Sequence, residues 1–241
     1  MDEATWRTTD DALAMLAHLF PGDSLGSVEP QPRQSRLYLI ACARRSWDRL
    51  PGVCRAMVKL AERVYGGRAA NDRETRAESY SLAESLVHCR GDAEDLRAIA
   101  RELVARELAT VEEVREVKAV SADEWVGFAH LAFYPFDHIQ PYFPRLPRDI
   151  HSAELVREVF GNPFRKLEPM RPEWRTDNVM ALAKGIDAEQ DYQALLVLAD
   201  ALQDAGCDER EVLDHFRGGR GHVRGCWALE WVLAHSPRRL F

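Results

Sequence analysis

Apolar residues recur at steps of three and four along most of the chain, which is the period of an amphipathic helix. One such run begins near Leu39 and continues to Leu50, where Pro51-Gly52 ends it. A second run extends from Tyr192 to Leu202 and is closed by Gly206, since glycine readily adopts the left-handed conformation that follows many helices. These runs predict helices in both halves of the chain.

Helix starts are also marked in the sequence. Thr110 with Glu113, and Ser121 with Glu124, have the spacing of a capping box, in which two side chains satisfy backbone N–H groups of the first turn. No stretch alternates convincingly between apolar and polar residues, and no Asn-Gly or Asp-Gly hairpin turn is present. We therefore predict an all-α fold, either a multi-helix bundle or an irregular helical array, with two packed helical parts.

The segment from Phe133 to Ile150 interrupts the helical period. Its four prolines exclude a helix, because each removes a backbone donor and restricts the preceding residue. Its five aromatic side chains favour burial, either as an ordered loop packed across helices or as a mobile lid or peptide-docking strip. We therefore predict an N-terminal helical part at residues 1–132, a connecting segment at 133–150 and a C-terminal helical part at 151–241.

Composition narrows the classes of function. The formal charge of -7 at pH 7 argues against nucleic-acid binding, since phosphate contacts need a basic surface. No apolar run approaches the roughly 18–20 residues that span a bilayer, so we expect no membrane attachment. The five cysteines have wide spacings and no Cys-x-x-Cys pair, which indicates free thiols in a reducing, cytoplasmic compartment.

Gly22-Asp23-Ser24-Leu25-Gly26 matches the Gly-x-Ser-x-Gly pattern, and its Gly-Asp-Ser-Leu block also resembles that of a family of esterases. The chemistry needs a sharp strand-to-helix turn that exposes the serine. Here the motif follows a helical run, and the Asp-x-x-His block that supplies the partners in that esterase family is absent. A plain turn between helices explains the motif equally well, and we assign no catalytic residue.

A metal site can be imagined from Cys207, His215, His222 and Cys226, because sulfur and imidazole ligands suit zinc. The spacings between these residues match no zinc module. Burial of Cys226 in the core beside Trp227 is the simpler explanation. We assign no metal site and no cofactor from the sequence.

The glycine-rich run from Arg217 to Arg224 is a candidate anion site. Glycines let successive N–H groups turn toward one point, and the following helix start adds a positive dipole end. We name Arg217, Arg220, His222 and Arg224 as candidate residues that bind an anion or an acidic partner. The alternative is a tight helix-to-helix connection whose arginines stay solvated or bond to nearby carbonyls.

The sequence FGNPFR, from Phe160 to Arg165, predicts a helix end that is clamped to the core by two phenylalanines.

Two blocks of the chain resemble a family of uncharacterised helical proteins abundant in planctomycete-type bacteria. One is LYLIACARRSW at residues 37–47, and the other lies between residues 155 and 233 and includes VFGNPFR, LADALQDAGC and HVRGCWALEWVL. The resemblance implies a helical protein and brings no activity or catalytic residue.

These observations favour a non-enzymatic role. The sequence contains many amphipathic helices but no paired nucleophile and base, no recognisable metal quartet and no phosphate-binding loop of known type. We expect a helical protein–protein interaction or adaptor module whose partner is another protein. The alternatives are an enzyme or small-molecule-binding protein that uses the Arg217–Arg224 loop, and a nucleic-acid-associated regulator.

Overall fold

The computed structural model describes residues 1–20, 33–49, 151–219 and 221–233, together with Arg55, Ala56, Val58, Lys59, Ala61 and Glu62. Throughout this part of the chain the regular secondary structure is helical and no strand is present. The all-α prediction is therefore confirmed. The Gly22–Gly26 motif, both predicted capping boxes and the 133–150 segment lie outside these residues.

The helices are named in chain order. They are α1 (Glu3–Thr8), α2 (Ala12–Leu19), α3 (Arg33–Arg45), α4 (Ala153–Phe160), α5 (Asp177–Glu189), α6 (Leu195–Asp204), α7 (Arg210–Arg217) and α8 (Trp227–Leu233). Short 3-10 turns occur at Trp47–Arg49, Pro172–Trp174 and Tyr192–Ala194. None of the described helices is long and apolar enough to cross a membrane.

The chain divides into two compact units. Unit 1 contains Met1–Pro21 and Ser152–Phe241, and unit 2 contains Gly22–His151. This differs from the predicted boundaries, which placed the first residues with the rest of the N-terminal half. The physical reason is that α2 packs on α4. Hydrogen bonds from Arg157 to the Trp6 carbonyl and from the Trp6 indole to the Gly161 carbonyl attach α1 to the same region.

Local sequence explains where the helices of unit 1 begin. Asp2, Asp11, Ser152 and Thr176 each accept a hydrogen bond from the backbone N–H three residues later. Such caps satisfy donors that have no partner within the helix. After the C-terminal end of α6, Gly206 has a φ of 84°, and the Cys207 N–H donates to Leu202 O at 2.9 Å. The predicted helix end at Gly206 is confirmed.

The apolar core of unit 1 is built around α6. Leu195, Leu198, Ala199 and Leu202 are fully buried on one face of this helix, between α5 and α7. The remaining buried core residues of these helices and of α8 are Val179, Ala183, Ile186, Val212, Leu213, Phe216, Ala228, Leu229, Trp231 and Val232. Burial of this surface supplies the main driving force for folding of the unit.

Unit 2 is described mainly through α3. The helix buries a continuous set of side chains, namely Leu37, Tyr38, Leu39, Ile40, Ala41, Cys42 and Ala43. At its end the Arg44 guanidinium lies 3.9 Å from the ring centroid of Trp47 and donates to Glu62 Oε1 at 2.6 Å. The Tyr38 hydroxyl lies 3.1 Å from Nδ1 of His151.

The FGNPFR turn is the point where three parts of unit 1 meet. Helix α4 ends at Phe160, and Gly161 has φ 69° and ψ -146°, a conformation that essentially only glycine adopts. A Cβ atom on Gly161 would lie 3.1 Å from the Trp227 ring. The Gly161 carbonyl accepts a hydrogen bond from the Trp6 indole at 3.2 Å. The predicted helix end is confirmed, and its glycine is also required by close packing. The predicted burial of both phenylalanines is wrong for Phe164, which is 38% exposed.

We predict that Gly161→Ala lowers the free energy of unfolding by about 3 kcal/mol, because it adds backbone strain to a steric clash with Trp227. Urea-induced unfolding followed by circular dichroism measures the change. Gly185→Ala is the matched control, since this helical glycine has no atom within 4 Å of an added Cβ. The control is expected to be neutral or stabilising by up to about 1 kcal/mol. Equal effects of the two variants would contradict the packing argument.

Candidate functional site

Four side chains with metal-binding atoms converge inside unit 1. They are Glu158 on α4, His215 on α7, His222 in the connection between α7 and α8, and Cys226 immediately before α8. One ligand atom from each residue lies within 4.8 Å of the ligand atoms of the other three. We call these four residues the Glu158 cluster.

Within the Glu158 cluster, each histidine lies close to both Glu158 and Cys226. The two carboxylate oxygens of Glu158 divide between the imidazoles, with Oε2 3.3 Å from His215 Nε2 and Oε1 3.0 Å from His222 Nδ1. The Cys226 sulfur lies 3.2 Å from the same His215 nitrogen and 3.9 Å from the same His222 nitrogen. One nitrogen of each histidine therefore faces both the carboxylate and the thiol.

Local backbone structure brings His222 and Cys226 together. The residues are four positions apart, and Gly225 between them has a φ of 93°, which favours glycine. The Cys226 N–H donates to Val223 O at 3.0 Å, closing a turn, and the Cys226 carbonyl accepts from Glu230 N at 3.0 Å. Cys226 thus ends the connection and starts α8, with its side chain directed into the cluster.

Aromatic packing orients His215. Its ring centroid lies 4.8 Å from that of Trp227 and 5.0 Å from that of His222. The second ring nitrogen of His222, Nε2, is buried and has no hydrogen-bond partner among the described residues. The other ring nitrogen, Nδ1, lies 3.0 Å from Glu158 Oε1 and 3.9 Å from the Cys226 sulfur, and it is the atom placed to bind a ligand.

The buried charge of Glu158 is compensated within the cluster. Its side chain is only 5% exposed. Burial raises the pKa of this carboxyl group, but the facing imidazoles of His215 and His222 outweigh that effect and lower the pKa from 4.5 to about 2. Glu158 is consequently a carboxylate at neutral pH, and the pocket that holds it favours positive charge.

The pKa of the Cys226 thiol is shifted in the opposite direction, upward. Burial raises its pKa well above the usual value, the nearby Glu158 carboxylate raises it further, and the backbone N–H groups of Leu229 and Ala228 act in the other direction. Without a cation the thiol is therefore protonated at neutral pH. A bound cation would convert it to a thiolate, which those two N–H groups already accommodate.

Each of the three described candidate anion-binding residues has a partner within unit 1. Arg217 donates to Asp200 at 2.8 Å and to Gln203 at 2.7 Å on α6. Arg224 donates to the Asp187 carbonyl at 2.9 Å. His222 belongs to the Glu158 cluster, and Arg220 lies outside the described residues. Anion binding by these residues stays a prediction.

The structure joins three of the four residues that the sequence suggested as metal ligands, and it replaces the fourth. Cys207 follows the end of α6 and is buried in the apolar core, where burial raises its pKa. Glu158, which sequence reasoning missed, takes its place. The available signal was its position on the apolar face of α4, between the buried Leu155 and Val159. A carboxylate on a buried stripe is rarely left without a partner.

The chain matches no protein-family model, no curated protein and no solved structure at a significant level. The resemblance to planctomycete-type helical proteins therefore stays a prediction. The candidate function rests on the geometry of the Glu158 cluster.

We predict that Glu158→Gln destabilises the metal-free protein in a pH-dependent way. The folded-state pKa of Glu158 lies below its ordinary value, so the carboxylate stabilises the fold above about pH 4.5, and this contribution is lost as the pH falls toward 2. The difference in unfolding free energy between wild type and variant is expected to be about 3 kcal/mol at pH 6 and to shrink by pH 3. Urea titrations with chelator at several pH values measure it.

Glu154→Gln is the matched control for this measurement. Glu154 is an exposed residue of the same helix. Its replacement is expected to change the unfolding free energy by less than about 1 kcal/mol. A Glu158→Gln effect that stays constant from pH 6 to pH 3 would contradict the assigned ionisation.

Proposed function

We propose that the protein binds one Zn²⁺ ion through Glu158, His215, His222 and Cys226, and that the ion is a structural element of a non-enzymatic helical module. The observation that carries this proposal is the convergence of the four ligand atoms within 4.8 Å of one another. Neighbouring segments of sequence do not create this convergence. Glu158 and His222 are 64 positions apart.

The distances approach those of a tetrahedral ion. Metal–ligand bonds of about 2.0–2.3 Å place the ligand atoms of a tetrahedral zinc site about 3.3–3.8 Å apart. Four of the separations in the Glu158 cluster are 3.0 and 3.3 Å, from the two different oxygens of Glu158 to the histidines, and 3.2 and 3.9 Å, from the Cys226 sulfur to the histidines. With one ligand atom from each residue, all separations lie within 4.8 Å. Small adjustments of the side chains would therefore make room for a central ion.

The donor set favours zinc over other common cations. A thiolate and two imidazoles suit Zn²⁺, whereas Mg²⁺ and Ca²⁺ prefer sites made only of oxygen atoms. The charges also balance, because the Glu158 carboxylate and the Cys226 thiolate together neutralise a divalent ion. Such compensation matters because the residues are almost fully buried, with the Cys226 side chain inaccessible and His215 10% exposed.

A structural role agrees with the closure of the site. Catalytic zinc keeps one position for water or substrate, whereas structural zinc is bound by four protein ligands. All four positions here are supplied by protein side chains with little access to solvent. The ion would connect α4, α7 and the residue that starts α8.

We predict that the purified protein contains one zinc ion per chain and that zinc raises the Tm of the metal-free form by about 10 °C or more. Elemental analysis and thermal unfolding with and without chelator measure these quantities. Replacing zinc with Co²⁺ is expected to give a sulfur-to-metal charge-transfer band that Cys226→Ser removes. Cys207→Ser, which alters a buried thiol outside the cluster, should retain the band. The proposal would be refuted if the purified protein contains no zinc and its Tm changes with neither added zinc nor chelator.

A second function, binding of another protein, is supported by a different observation. Leu196 and Val197 on α6 are 53% and 55% exposed, although the opposite face of the same helix is fully buried. The two neighbouring side chains form a small exposed apolar surface, and contiguous exposed apolar surface is where soluble proteins bind partners. We propose this face of α6 as the contact region of the interaction module that the sequence predicted.

We predict that the double variant Leu196→Glu with Val197→Glu loses a protein that the wild-type chain captures from its native cells. The zinc content should be unchanged, because neither residue belongs to the Glu158 cluster. Ala181→Glu, at an exposed position of α5, serves as the control and should retain the captured protein. Identical captured proteins in all three samples would show that this face is not the contact region.

A further inference from the structure

Helix α4 connects the Glu158 cluster to the N-terminal residues of the chain. Glu158 belongs to the cluster, whereas the adjacent Arg157 binds α1. The Arg157 Nε donates to the Trp6 carbonyl at 2.9 Å, and its Nη2 donates to the Thr9 carbonyl. The last carbonyls of a helix lack partners within it, so Arg157 caps the end of α1.

Further contacts attach residues 1–20 to the same part of unit 1. The Trp6 side chain is 1% exposed, and its indole donates to the Gly161 carbonyl at 3.2 Å. Asn162 Nδ2 donates to Glu3 at 2.8 Å. The ring of Phe20 lies edge-on to Phe160, with the centroids 5.8 Å apart. Residues 1–20 therefore contact both α4 and the turn that follows it.

A second route to the cluster passes through Trp227. Gly161 is packed so closely on this ring that a Cβ atom would lie 3.1 Å from it. The Trp227 ring also contacts His215, with the two ring centroids 4.8 Å apart. Trp227 directly follows Cys226 in the chain. A shift of Gly161 would therefore be transmitted to a histidine and a cysteine of the cluster.

We propose that residues 1–20 position the zinc ligands, so that docking of this segment raises zinc affinity and zinc binding in turn tightens the docking. This inference rests on the proposed zinc site. Arg157 acts as a positioning residue through Glu158, and Trp6 acts through Gly161 and Trp227. Neither residue touches the ion.

The coupling between the two events must be reciprocal. If the docked segment raises zinc affinity by a given factor, zinc raises the docking equilibrium of the segment by the same factor. Arg157→Met, which keeps the apolar stem, and Trp6→Phe, which removes the indole donor, are each expected to weaken zinc binding about tenfold. Zinc is likewise expected to slow amide exchange in residues 3–9 about tenfold in the wild-type chain.

The experiment uses the full chain and two readouts. Competition with a chromophoric chelator measures the zinc Kd of the wild type, Arg157→Met and Trp6→Phe. Hydrogen–deuterium exchange measures residues 3–9 with and without zinc, with Cys226→Ser as the reference that does not bind. Trp231→Phe is the matched control, since its indole also donates to a backbone carbonyl of unit 1, that of Glu168 at 2.8 Å. This control should keep the wild-type zinc Kd.

Weaker zinc binding in the two variants, together with zinc-dependent protection of residues 3–9, supports the inference. Wild-type zinc affinity in both variants, or exchange that zinc leaves unchanged, overturns the inference while zinc binding itself stands. A similar loss of affinity in Trp231→Phe also overturns it, because general destabilisation would then explain the result. A wild-type chain that binds no zinc overturns the proposed function as well.

Discussion

Unit 1 depends on how the buried charge of Glu158 is neutralised. A carboxylate removed from water costs several kcal/mol unless positive or hydrogen-bonding partners surround it. Here the partners are two imidazoles that come from a distant part of the chain, and the thiol of Cys226 interacts with the same carboxylate. The proposed zinc ion would strengthen this arrangement, because a divalent cation compensates the carboxylate and a thiolate together. The buried Glu158 carboxylate would destabilise the fold without these partners. Its contacts with them therefore determine how α4 packs against the connection between α7 and α8.

The polar contacts also explain how the connection between α7 and α8 is ordered. From Gly218 to Gly225 the sequence contains four glycines and only one large aliphatic side chain, Val223. Such a segment gains little from apolar burial, while fixing each residue costs about 1–2 kcal/mol in backbone entropy. Its described anchors are His222 on Glu158 and Arg224 on the Asp187 carbonyl. The arginine that looked suited to an anion thus has a structural partner in the protein itself.

Sequence reasoning could reach features that local rules determine. The period of apolar residues predicted the all-α fold, and the glycine rule located the helix ends at Gly161 and Gly206. It could not reach the packing of α1 on α4, because Trp6 and Gly161 are 155 positions apart and no local pattern pairs them. The complete Glu158 cluster could not be predicted from the sequence for the same reason. Zinc modules are recognised by short spacings between ligands, and a carboxylate 64 positions before His222 matches none of them.

Helix α4 shows why the core and the cluster cannot be considered separately. Its eight residues place Arg157 against the N-terminal helix and Glu158 against the metal-binding atoms, and Gly161 then presses on Trp227. A short helix with apolar, cationic and anionic contacts in three directions has little freedom to move without loss at one of them. Affinity for the proposed zinc ion and the packing of the N-terminal residues would therefore depend on the same short backbone segment. This shared dependence follows from the order Arg157, Glu158, Gly161 in the sequence, and it would persist even if a metal other than zinc occupied the site.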